Sequence, residues 1–596
     1  MAFPASVWLA ASVPAAWLLT NHYLPWLAAW QDGAAAALLC LAAMFARHGG
    51  AVAWPWIAAL GLALASIATQ AATGRILYAG DAVVAAWYVL LFLCALALGA
   101  ALSAALSAAF GAPQGPPQGP PHDAALRAAW AAARQDDAPA AAHTVHRAAA
   151  PAHFTDAWAS GVLAAAILST AVALVQWTGV WGHALLTVDM PPGGRPFANV
   201  AQPNHFCTIA FLGLCALALL HERGRIGRGT LLAAAAFLAW GMAMSGSRTG
   251  WLQVALLVMA AAWFERRMPL RTGLRTALAL AALYGAAVLL WPHASGLLDL
   301  GPAREFAEQL QPGTRWAHWT MMLDAIGRLP WTGTGWQQVG LAQQAVALDH
   351  PPVGEHIEHA HNLVLDLLVW AGVPVGAAIL LAIGLAVARA WRRAVAPEAA
   401  WLLIAAGGFG VHAMLEYPHE YAYFLIPVGL ALGAAHALEP QPRGWRWPRP
   451  ALPPVGGLLA LVLGVIAYDY LRAEAYHRQL RFESARIGAD RIVSSAPDLL
   501  VLDQLQAVLA FARTEARPGM TAEELQRMRK VAERWGSSPV LLRYALAAGL
   551  NGQPEVARQT AGRLCRIHPA PHCDEGRAAW AALQQRHPEL RAVPWP

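Results

Sequence analysis

The chain alternates between long apolar runs and short polar connections over most of its length. A membrane-spanning helix needs about 20 mostly apolar residues, and thirteen segments approach this pattern. These segments are residues 5–21, 33–47, 51–72, 80–110, 156–178, 204–221, 228–245, 249–264, 274–292, 361–391, 397–416, 420–438 and 453–471. The pattern predicts an all-α polytopic membrane protein with about 12–14 transmembrane helices. Gly372 and Pro374 favour a kink in the tenth segment.

Arginine residues are concentrated in alternate connections between these segments. Four of them, Arg266, Arg267, Arg271 and Arg275, follow the eighth segment. Short loops rich in Arg and Lys face the cytoplasm, so the arginine-rich connections are predicted to be cytoplasmic. The N-terminus then lies inside, and thirteen spans would place the C-terminal tail outside.

This topology predicts six regions. They are N-terminal transmembrane helices (1–110), a cytoplasmic Pro/Gly/Ala-rich linker (111–155), transmembrane helices with external polar loops (156–292), a large external loop (293–360), C-terminal transmembrane helices (361–471) and an external helical domain (472–596). Within the last region, residues 540–564 resemble a helix–turn–helix of the tetratricopeptide kind. Such a domain could bind a partner or cap the membrane domain.

Composition narrows the class of protein. Hydrophobic residues make up 58% of the chain and charged residues 13%, about half the usual charged fraction of roughly 25%. This balance excludes a disordered chain and a nucleic-acid-binding protein. The net charge of +6 is then best explained by the arginines of the cytoplasmic connections.

Two of the six cysteines lie in the polar tail. If the tail is external, Cys565 and Cys573 could form a disulfide. Free thiols and a zinc site with His568 and His572 are the alternatives, although the spacing fits no strong zinc motif. The remaining cysteines are expected to be small apolar residues of the spans: Cys40, Cys94, Cys207 and Cys215.

Polar residues cluster at the external ends of several predicted spans. Arg195, Asn199, Asn204 and His205 precede or begin the sixth span. Capping of the helix would account for one asparagine but not for the whole group. We therefore interpret these residues as substrate-binding or supporting residues.

A second polar connection places Ser247 and Arg248 at the start of the eighth span. Free N–H groups and the helix dipole favour an anion there, and a guanidinium suits a phosphate or diphosphate. The alternative is an arginine whose side chain reaches lipid head groups.

The large external loop is rich in tryptophan and contains Arg315. It ends at His359-Ala360-His361-Asn362. Histidine is the usual general base near neutral pH, but a histidine at a helix end often has no catalytic role. The tryptophans could stack on sugar rings or lie at the membrane interface. No HExxH order is present, and neither a metal nor another cofactor is expected.

A third polar group, His412 and Glu416, marks the external end of the eleventh span. A glutamate near the membrane is costly unless it is paired. Arg248 and Arg315 are the expected partners.

Taken in order, these motifs resemble the O-antigen ligase superfamily, and within it the bacterial protein O-oligosaccharyltransferases of the pilin-glycosylase type. The motifs that carry the resemblance are Asn204-His205, Ser247-Arg248, Arg315 with Pro330-x-x-Gly333-x-Gly335, His359-Ala360-His361-Asn362, and His412 with Glu416-Tyr417-Pro418. The N-terminal spans are generic, and either His359 or His361 could occupy the position of the functional histidine.

The resemblance implies a GT-C-like ligase in the bacterial inner membrane, with its active site facing the periplasm. The donor would be an oligosaccharide on undecaprenyl diphosphate, and the acceptor a Ser or Thr hydroxyl of a periplasmic protein such as pilin. Transfer would be inverting and metal-independent. His361 would be the general base because it directly precedes Asn362, while Arg248 and Arg315 would bind the diphosphate. The supporting or substrate-binding residues would be Arg195, Asn199, Asn204, His205, Ser247, His359, Asn362, His412 and Glu416.

Other functions fit parts of the same pattern. An O-antigen ligase acting on lipid A core, or an O-antigen polymerase, would use the same donor. The long C-terminal region favours a protein acceptor, which needs a docking surface. A transporter would be expected to carry mid-span charges and inverted repeats, and a scaffold would not require the arginines and histidines.

Overall fold

The computed structural model describes residues 4–20, 22–110, 154–180, 186–191, 194–298, 314–487 and 495–596. Most of the predicted linker at 111–155, and residues 299–313 of the large loop, therefore lie outside the described residues.

The described part of the membrane region contains fifteen α-helices. They are α1 (Ala5–Ser12), α2 (Ala29–Met44), α3 (Trp54–Ala72), α4 (Ala79–Phe110), α5 (Phe154–Thr178), α6 (Pro203–Glu222), α7 (Arg228–Met244), α8 (Thr249–Glu265), α9 (Leu274–Leu297), α10 (Arg315–Arg328), α11 (Val339–Val346), α12 (Leu363–Arg393), α13 (Pro397–Ala413), α14 (Ala422–Ala437) and α15 (Leu452–Ser484). Short 3₁₀ segments occur at Val13–Leu18, Ala198–Val200, Ala347–Asp349 and Pro418–Glu420.

Five further helices form the described tail. They are α16 (Asp503–Arg513), α17 (Ala522–Trp535), α18 (Ser538–Leu550), α19 (Pro554–Ile567) and α20 (Ala570–Arg586), followed by a 3₁₀ turn at Pro588–Ala592. Two short strands, β1 (Ala51–Ala53) and β2 (Gly444–Arg446), pair antiparallel with Ala51 opposite Arg446. The fold is thus all-helical apart from this small ribbon, as the apolar pattern predicts.

Each of the thirteen predicted spans contains a helix. Seven described helices are long and apolar enough to cross a membrane: α3, residues Ala79–Ala105 of α4, α5, α6, α9, α12 and α15. The other predicted spans form helices of 17 residues or fewer. At about 1.5 Å per residue, the helices of 16 or 17 residues are a few ångströms shorter than a hydrocarbon core of about 30 Å. The first span is shorter still, because α1 has 8 residues and continues as the 3₁₀ segment Val13–Leu18.

Small residues allow close helix packing in the membrane domain. Gly99 of α4 lies against the backbone of Leu430, and Gly433 of α14 lies against the backbone of Leu96. Side chains larger than hydrogen would not fit at either position. Close approach of helix backbones through glycine is a common way for membrane helices to associate.

The predicted kink in the tenth span is present in α12. Gly372 adopts φ 76° and ψ 167° inside the helix, a conformation that glycine tolerates best. The break leaves backbone groups of the preceding turn without helical partners. The Pro330–Trp336 turn binds them, because Thr334 N–H donates to Val369 O at 2.7 Å and Gly335 N–H donates to Trp370 O at 3.2 Å.

The C-terminal helices are attached firmly to the membrane domain. Asp503 accepts hydrogen bonds from the backbone N–H groups of Ala79 and Gly80 at the start of α4. Arg534 of α17 forms an ion pair with the buried Asp81 at 2.9 Å. In the same tail, Cys565 and Cys573 form a disulfide, which confirms the first of the three sequence-based alternatives. The four cysteines of the spans are free and buried.

Candidate active site

Glu416 lies at the centre of the polar residues that the sequence singled out. It follows α13 in a short non-helical segment and is 3% exposed. Its Oε1 accepts hydrogen bonds from Asn204 Nδ2 at 2.8 Å and from the Arg315 guanidinium, while His361 Nδ1 lies 2.6 Å from its Oε2. Ser247 extends this Glu416 network, because its hydroxyl donates to Asn204 Oδ1 at 2.6 Å. Four separate chain segments thus meet at one carboxylate.

Burial alone would raise the pKa of the Glu416 carboxyl. The hydrogen bond from His361, together with the charges of His361 and Arg315, outweighs burial, so the pKa of Glu416 lies below its usual value. Glu416 is therefore ionised near neutral pH. The ion pair with Arg315 confirms one of the two partners expected from the sequence.

The ionised carboxylate fixes the orientation and the tautomer of His361. A carboxylate only accepts hydrogen bonds, so Nδ1 of His361 carries a proton and donates to Glu416 in both the charged and the neutral form of the ring. In the neutral form, the Nε2 atom is then the lone-pair nitrogen that can accept a proton. This is the arrangement by which a carboxylate orients a histidine base in hydrolases.

Local backbone structure determines where the His361 ring points. His361 has φ 53°, which is uncommon for a residue with a side chain. Asn362 follows as the N-cap of α12, and its Oδ1 accepts from Val364 N–H at 2.9 Å and Leu365 N–H at 3.2 Å. Its Nδ2 also donates to Met414 O at 3.0 Å. Asn362 therefore ties the histidine segment to the segment that carries Glu416.

The backbone just before His361 is held by Asp366, a residue that the sequence motifs did not single out. Asp366 of α12 is fully buried and accepts from Ala360 N–H at 2.7 Å. Its other oxygen lies 3.1 Å from His419 Nε2. Asp366 lies one helical turn after the N-cap, within an otherwise apolar span. That isolated carboxylate was the available signal, since a charged residue there needs a specific partner.

Arg248 belongs to the connection between α7 and α8, and Arg195, from the segment before α6, contacts that connection. Arg195 donates from Nη1 to Ser245 O at 3.1 Å and to Gly246 O at 3.2 Å, so it holds the turn that carries Ser247. Arg248 is the N-cap residue of α8 and is partly buried. Its position at a helix start is the one predicted for an anion-binding arginine.

Three predicted supporting residues lie inside the bundle, away from its surface. Asn199 is 1% exposed. Its Nδ2 donates to the carbonyls of Leu18 and Leu186, and its Oδ1 accepts from Val188 N–H. His205 and His412 are fully buried, with ring centroids 5.3 Å apart. His205 Nδ1 pairs with the Tyr423 hydroxyl at 3.0 Å, and His412 Nδ1 pairs with Thr208.

The two histidines that shortly precede His361, His356 and His359, have different surroundings from it. His359 stacks on Tyr417 with ring centroids 4.4 Å apart, and burial holds its pKa well below the usual value. His356 pairs with Gln343 through Nδ1 at 3.2 Å, and burial lowers its pKa to about 4. Of the three, only His361 contacts a carboxylate within the described residues.

Aromatic side chains near Arg315 differ in exposure. Trp316 is 71% exposed and Trp331 is 77% exposed, so both have open ring faces. Trp319 instead donates its indole N–H to Ala360 O at 3.0 Å. The four loop tryptophans therefore divide into two with open ring faces and two that are held by the protein. Of the latter, Trp319 supports the histidine segment and Trp336 donates to Ser66 Oγ at 3.1 Å.

An apolar cavity of about 430 Å³ opens among α3, α4, α8, α12, α13 and α14. Tryptophan and aliphatic side chains line most of it, and Gln337, His419 and Glu420 provide polar groups. Such a cavity fits a hydrocarbon chain better than a sugar.

Comparison with known proteins gives two family matches. Residues 233–381 match the family described as O-antigen ligase, and residues 399–585 match the C-terminal family described as virulence factor membrane-bound polymerase. A General O-oligosaccharyltransferase of Acinetobacter baylyi is 28% identical over 415 residues, which cover 68% of this chain and 72% of that relative. A ComP-specific O-oligosaccharyltransferase of the same organism is 29% identical over 241 residues, covering 40% of this chain and 44% of that protein.

The helical membrane fold and these matches define a multi-pass membrane glycosyltransferase of the oligosaccharyltransferase and ligase class. In these two segments the chain is similar to the O-antigen ligase family and to the membrane-bound polymerase family. Members of the O-antigen ligase family transfer a glycan from a lipid-linked donor to an acceptor.

Proposed function

We propose that this protein is a protein O-oligosaccharyltransferase of the bacterial inner membrane. It transfers a preassembled oligosaccharide from undecaprenyl diphosphate to Ser or Thr hydroxyls of a periplasmic, pilin-like protein. The hydrogen bond between His361 Nδ1 and Glu416, at 2.6 Å, carries this proposal. It gives the site an oriented base beside an arginine, the two groups that this transfer requires.

The proposed chemistry is a direct displacement. The acceptor oxygen attacks the anomeric carbon, and its proton passes to Nε2 of His361. The bond between the anomeric carbon and the diphosphate oxygen breaks, and the diphosphate leaves with the electron pair. A single displacement inverts the configuration at the anomeric carbon.

Arg315 and Arg248 are the proposed diphosphate ligands. Arginine has five N–H donors, so Arg315 can bind Glu416 through Nη2 and still offer donors to the leaving group. Removing one such donor costs about 2.7–4 kcal/mol of transition-state stabilisation in other enzymes. We propose that two guanidinium groups supply the positive charge and that no metal ion takes part.

The apolar cavity supports a donor with a long hydrocarbon chain. It is lined by six membrane helices, since α8 contributes Leu256, and His419 and Glu420 lie only a few residues from Glu416 in the chain. A lipid chain lying there would leave its diphosphate near the external end of α13. The arginine-rich connections lie on the opposite, cytoplasmic side in the predicted topology, which supports a periplasmic site.

The test is reconstitution of the purified protein with a glycan on a lipid diphosphate and two acceptors, a pilin-like protein and lipid A core. We expect transfer to the protein acceptor. Transfer to lipid A core alone would indicate an O-antigen ligase instead of a protein glycosyltransferase. Loss of activity with a chelator would contradict the metal-free mechanism.

In the same assay, His361→Ala should lower the transfer rate at least about 100-fold, the lower range for loss of a general base. His350→Ala is the matched control, because His350 lies in the same external region and pairs with Asp324 instead of Glu416. Full activity of His361→Ala would refute the assignment of the base.

A further inference from the structure

A second cavity lies in the tail, remote in sequence from the Glu416 network. It has a volume of about 460 Å³ and lies between α11 and the tail helices α17, α18 and α19. Ligand sites commonly have volumes of about 300–1,000 Å³. Unlike the apolar cavity of the membrane domain, this one is lined by polar and charged side chains, including Gln344, Gln526, Arg529, Tyr544, Gln559 and Arg563.

Two polar groups of this cavity have no protein partner among the described residues. Arg563 is partly buried, its Nε atom is enclosed, and its guanidinium has no hydrogen bond or ion pair in the described part of the chain. Tyr544 is only 7% exposed, and its hydroxyl likewise has no partner there. A buried donor without an acceptor, such as Arg563 Nε, is uncommon because it costs free energy.

The charge around Arg563 is incompletely balanced. Arg529 pairs with Glu533 at 2.7 Å, so the single acidic residue of the cavity is already occupied. Burial lowers the pKa of the Arg563 guanidinium, and the attraction of Glu533 does not compensate for it. A carboxylate placed between Arg563 and Tyr544 would satisfy both donors with charge-assisted hydrogen bonds.

We propose that this cavity docks an extended, acidic segment of the acceptor protein, an inference that rests on the proposed function. Extended peptides expose backbone N–H and C=O groups. The side-chain amides of Gln526 and Gln559 supply matching donors and acceptors, although Gln559 Nε2 also donates to Glu555, and Gln344 offers its Oε1 as an acceptor. An acidic side chain of the segment binds Arg563. A neutral glycan would leave the charge of Arg563 unmatched, so a peptide is the better occupant.

The docking cavity is joined to the catalytic loop by direct hydrogen bonds. Gln344 of α11 donates to the carbonyls of Ala532 at 3.1 Å and Glu533 at 3.0 Å on α17. The neighbouring Gln343 accepts from Ile357 N–H at 3.0 Å, four residues before His361. A protein held in the cavity is therefore bound to the same loop that leads to the base.

Binding is tested with the full-length protein in detergent and three fluorescein-labelled ten-residue peptides. All contain serine, and they differ by carrying Glu, Gln or Lys at the remaining polar positions. Saturable binding of the Glu peptide is expected, with weaker binding of the Gln and Lys peptides. Equal binding of all three, or no saturable binding of the Glu peptide, would overturn the proposal, as would displacement by the free glycan alone.

Matched variants locate the binding site. Arg563→Gln should weaken binding of the Glu peptide about tenfold, which corresponds to one charge-assisted hydrogen bond. Tyr544→Phe retains the packing of the ring and should weaken binding about threefold. Arg558→Gln is the control, because Arg558 lies on the same helix, pairs with Glu555 and does not line the cavity. Unchanged affinity in both Arg563→Gln and Tyr544→Phe would overturn the proposal.

The His361→Ala variant separates this inference from the proposed function. It should lose transfer and still bind the Glu peptide with the wild-type affinity. If His361→Ala retains transfer, the proposed base is wrong while peptide docking stands. If transfer to protein requires His361 but is insensitive to Arg563→Gln at low acceptor concentration, the docking site is wrong while the proposed chemistry stands.

Discussion

Two glutamates four residues apart, Glu416 and Glu420, have opposite properties. Arg315, His361 and Asn204 all contact Glu416, and its pKa is lowered. Glu420 accepts a hydrogen bond from the neutral Gln337 at 2.6 Å, and burial raises its pKa to about 7, with the nearby His419 offsetting only part of the shift. The charge of each buried carboxylate therefore depends more on its hydrogen-bond and ionic partners than on how deeply it is buried.

The two glutamates therefore suit different tasks. Glu416 is a fixed negative charge that orients a histidine and binds an arginine. Glu420 changes its protonation near neutral pH and lines the apolar cavity, where the protonated form is less costly than a charge. Three substitutions test this contrast, beginning with the one of largest expected effect.

Glu416→Gln should lower the transfer rate at least about 100-fold, as expected when general-base catalysis is lost. The neutral amide cannot fix the His361 tautomer and removes the ion pair of Arg315. The rate is measured with the reconstituted donor and acceptor. Glu355→Gln is the control, since Glu355 lies in the loop that leads to His361 and its side chain is 49% exposed. A Glu416→Gln protein that folds and keeps its rate would show that the fixed charge is dispensable.

Asp366→Asn should lower kcat about tenfold with little change in KM, because Asp366 holds the backbone of Ala360 next to His361. The magnitude is taken from the outer partners of metal-binding histidines, which contribute roughly 10–100-fold. The asparagine can still accept from Ala360 N–H but loses the charge that faces His419. Steady-state kinetics with varied donor concentration measure both constants. A rise in KM at constant kcat would indicate that Asp366 affects donor binding and does not position His361.

Glu420→Gln should change how the free energy of unfolding varies with pH more than it changes the highest value of that free energy. The folded-state pKa of Glu420, about 7, exceeds its ordinary value of 4.5, so the folded state binds a proton more tightly than the unfolded state. The stabilising contribution is therefore complete below pH 4.5 and is lost as the pH rises to 7. The variant should show a smaller decline over this interval in thermal unfolding measurements.

Glu416 should contribute to the pH dependence of stability in the opposite direction from Glu420. Its pKa is lowered on folding, so its contribution is present above its ordinary value of 4.5 and is lost as the pH falls through its folded-state pKa. An identical pH profile of the wild type and Glu420→Gln would show that Glu420 does not titrate as described.

The sequence was sufficient for features that depend on local pattern. Apolar runs of helical length predicted the membrane helices, and Gly372 with Pro374 predicted the break in α12. The cost of an unpaired glutamate near the membrane predicted a cation beside Glu416, and Arg315 is that cation. These predictions succeed because the physical cause of each feature lies in a single residue or in one continuous segment of the chain.

Features that depend on pairing between distant segments could not be obtained in this way. Asn199 has a polar side chain of the kind that binds ligands, yet it donates a hydrogen bond to the carbonyl of Leu18. No local sequence pattern connects these two residues. The turn that binds the α12 break, and the contact between Asp366 and Ala360, likewise depend on tertiary structure. The orientation of His361 follows from a single positive φ angle, which the residue type itself disfavours.

The attachments of the tail have a consequence for synthesis of the protein. Val353 N–H, eight residues before His361, donates to Arg566 O at 2.9 Å, and Arg534 pairs with Asp81 near the start of α4. The ribosome adds the tail last, so a chain interrupted after α15 would contain Asn204, Arg315, His361 and Glu416 without these restraints. Premature termination would thus give a membrane protein with the proposed catalytic side chains but an unsupported loop, and completion of the tail would act as a final assembly step.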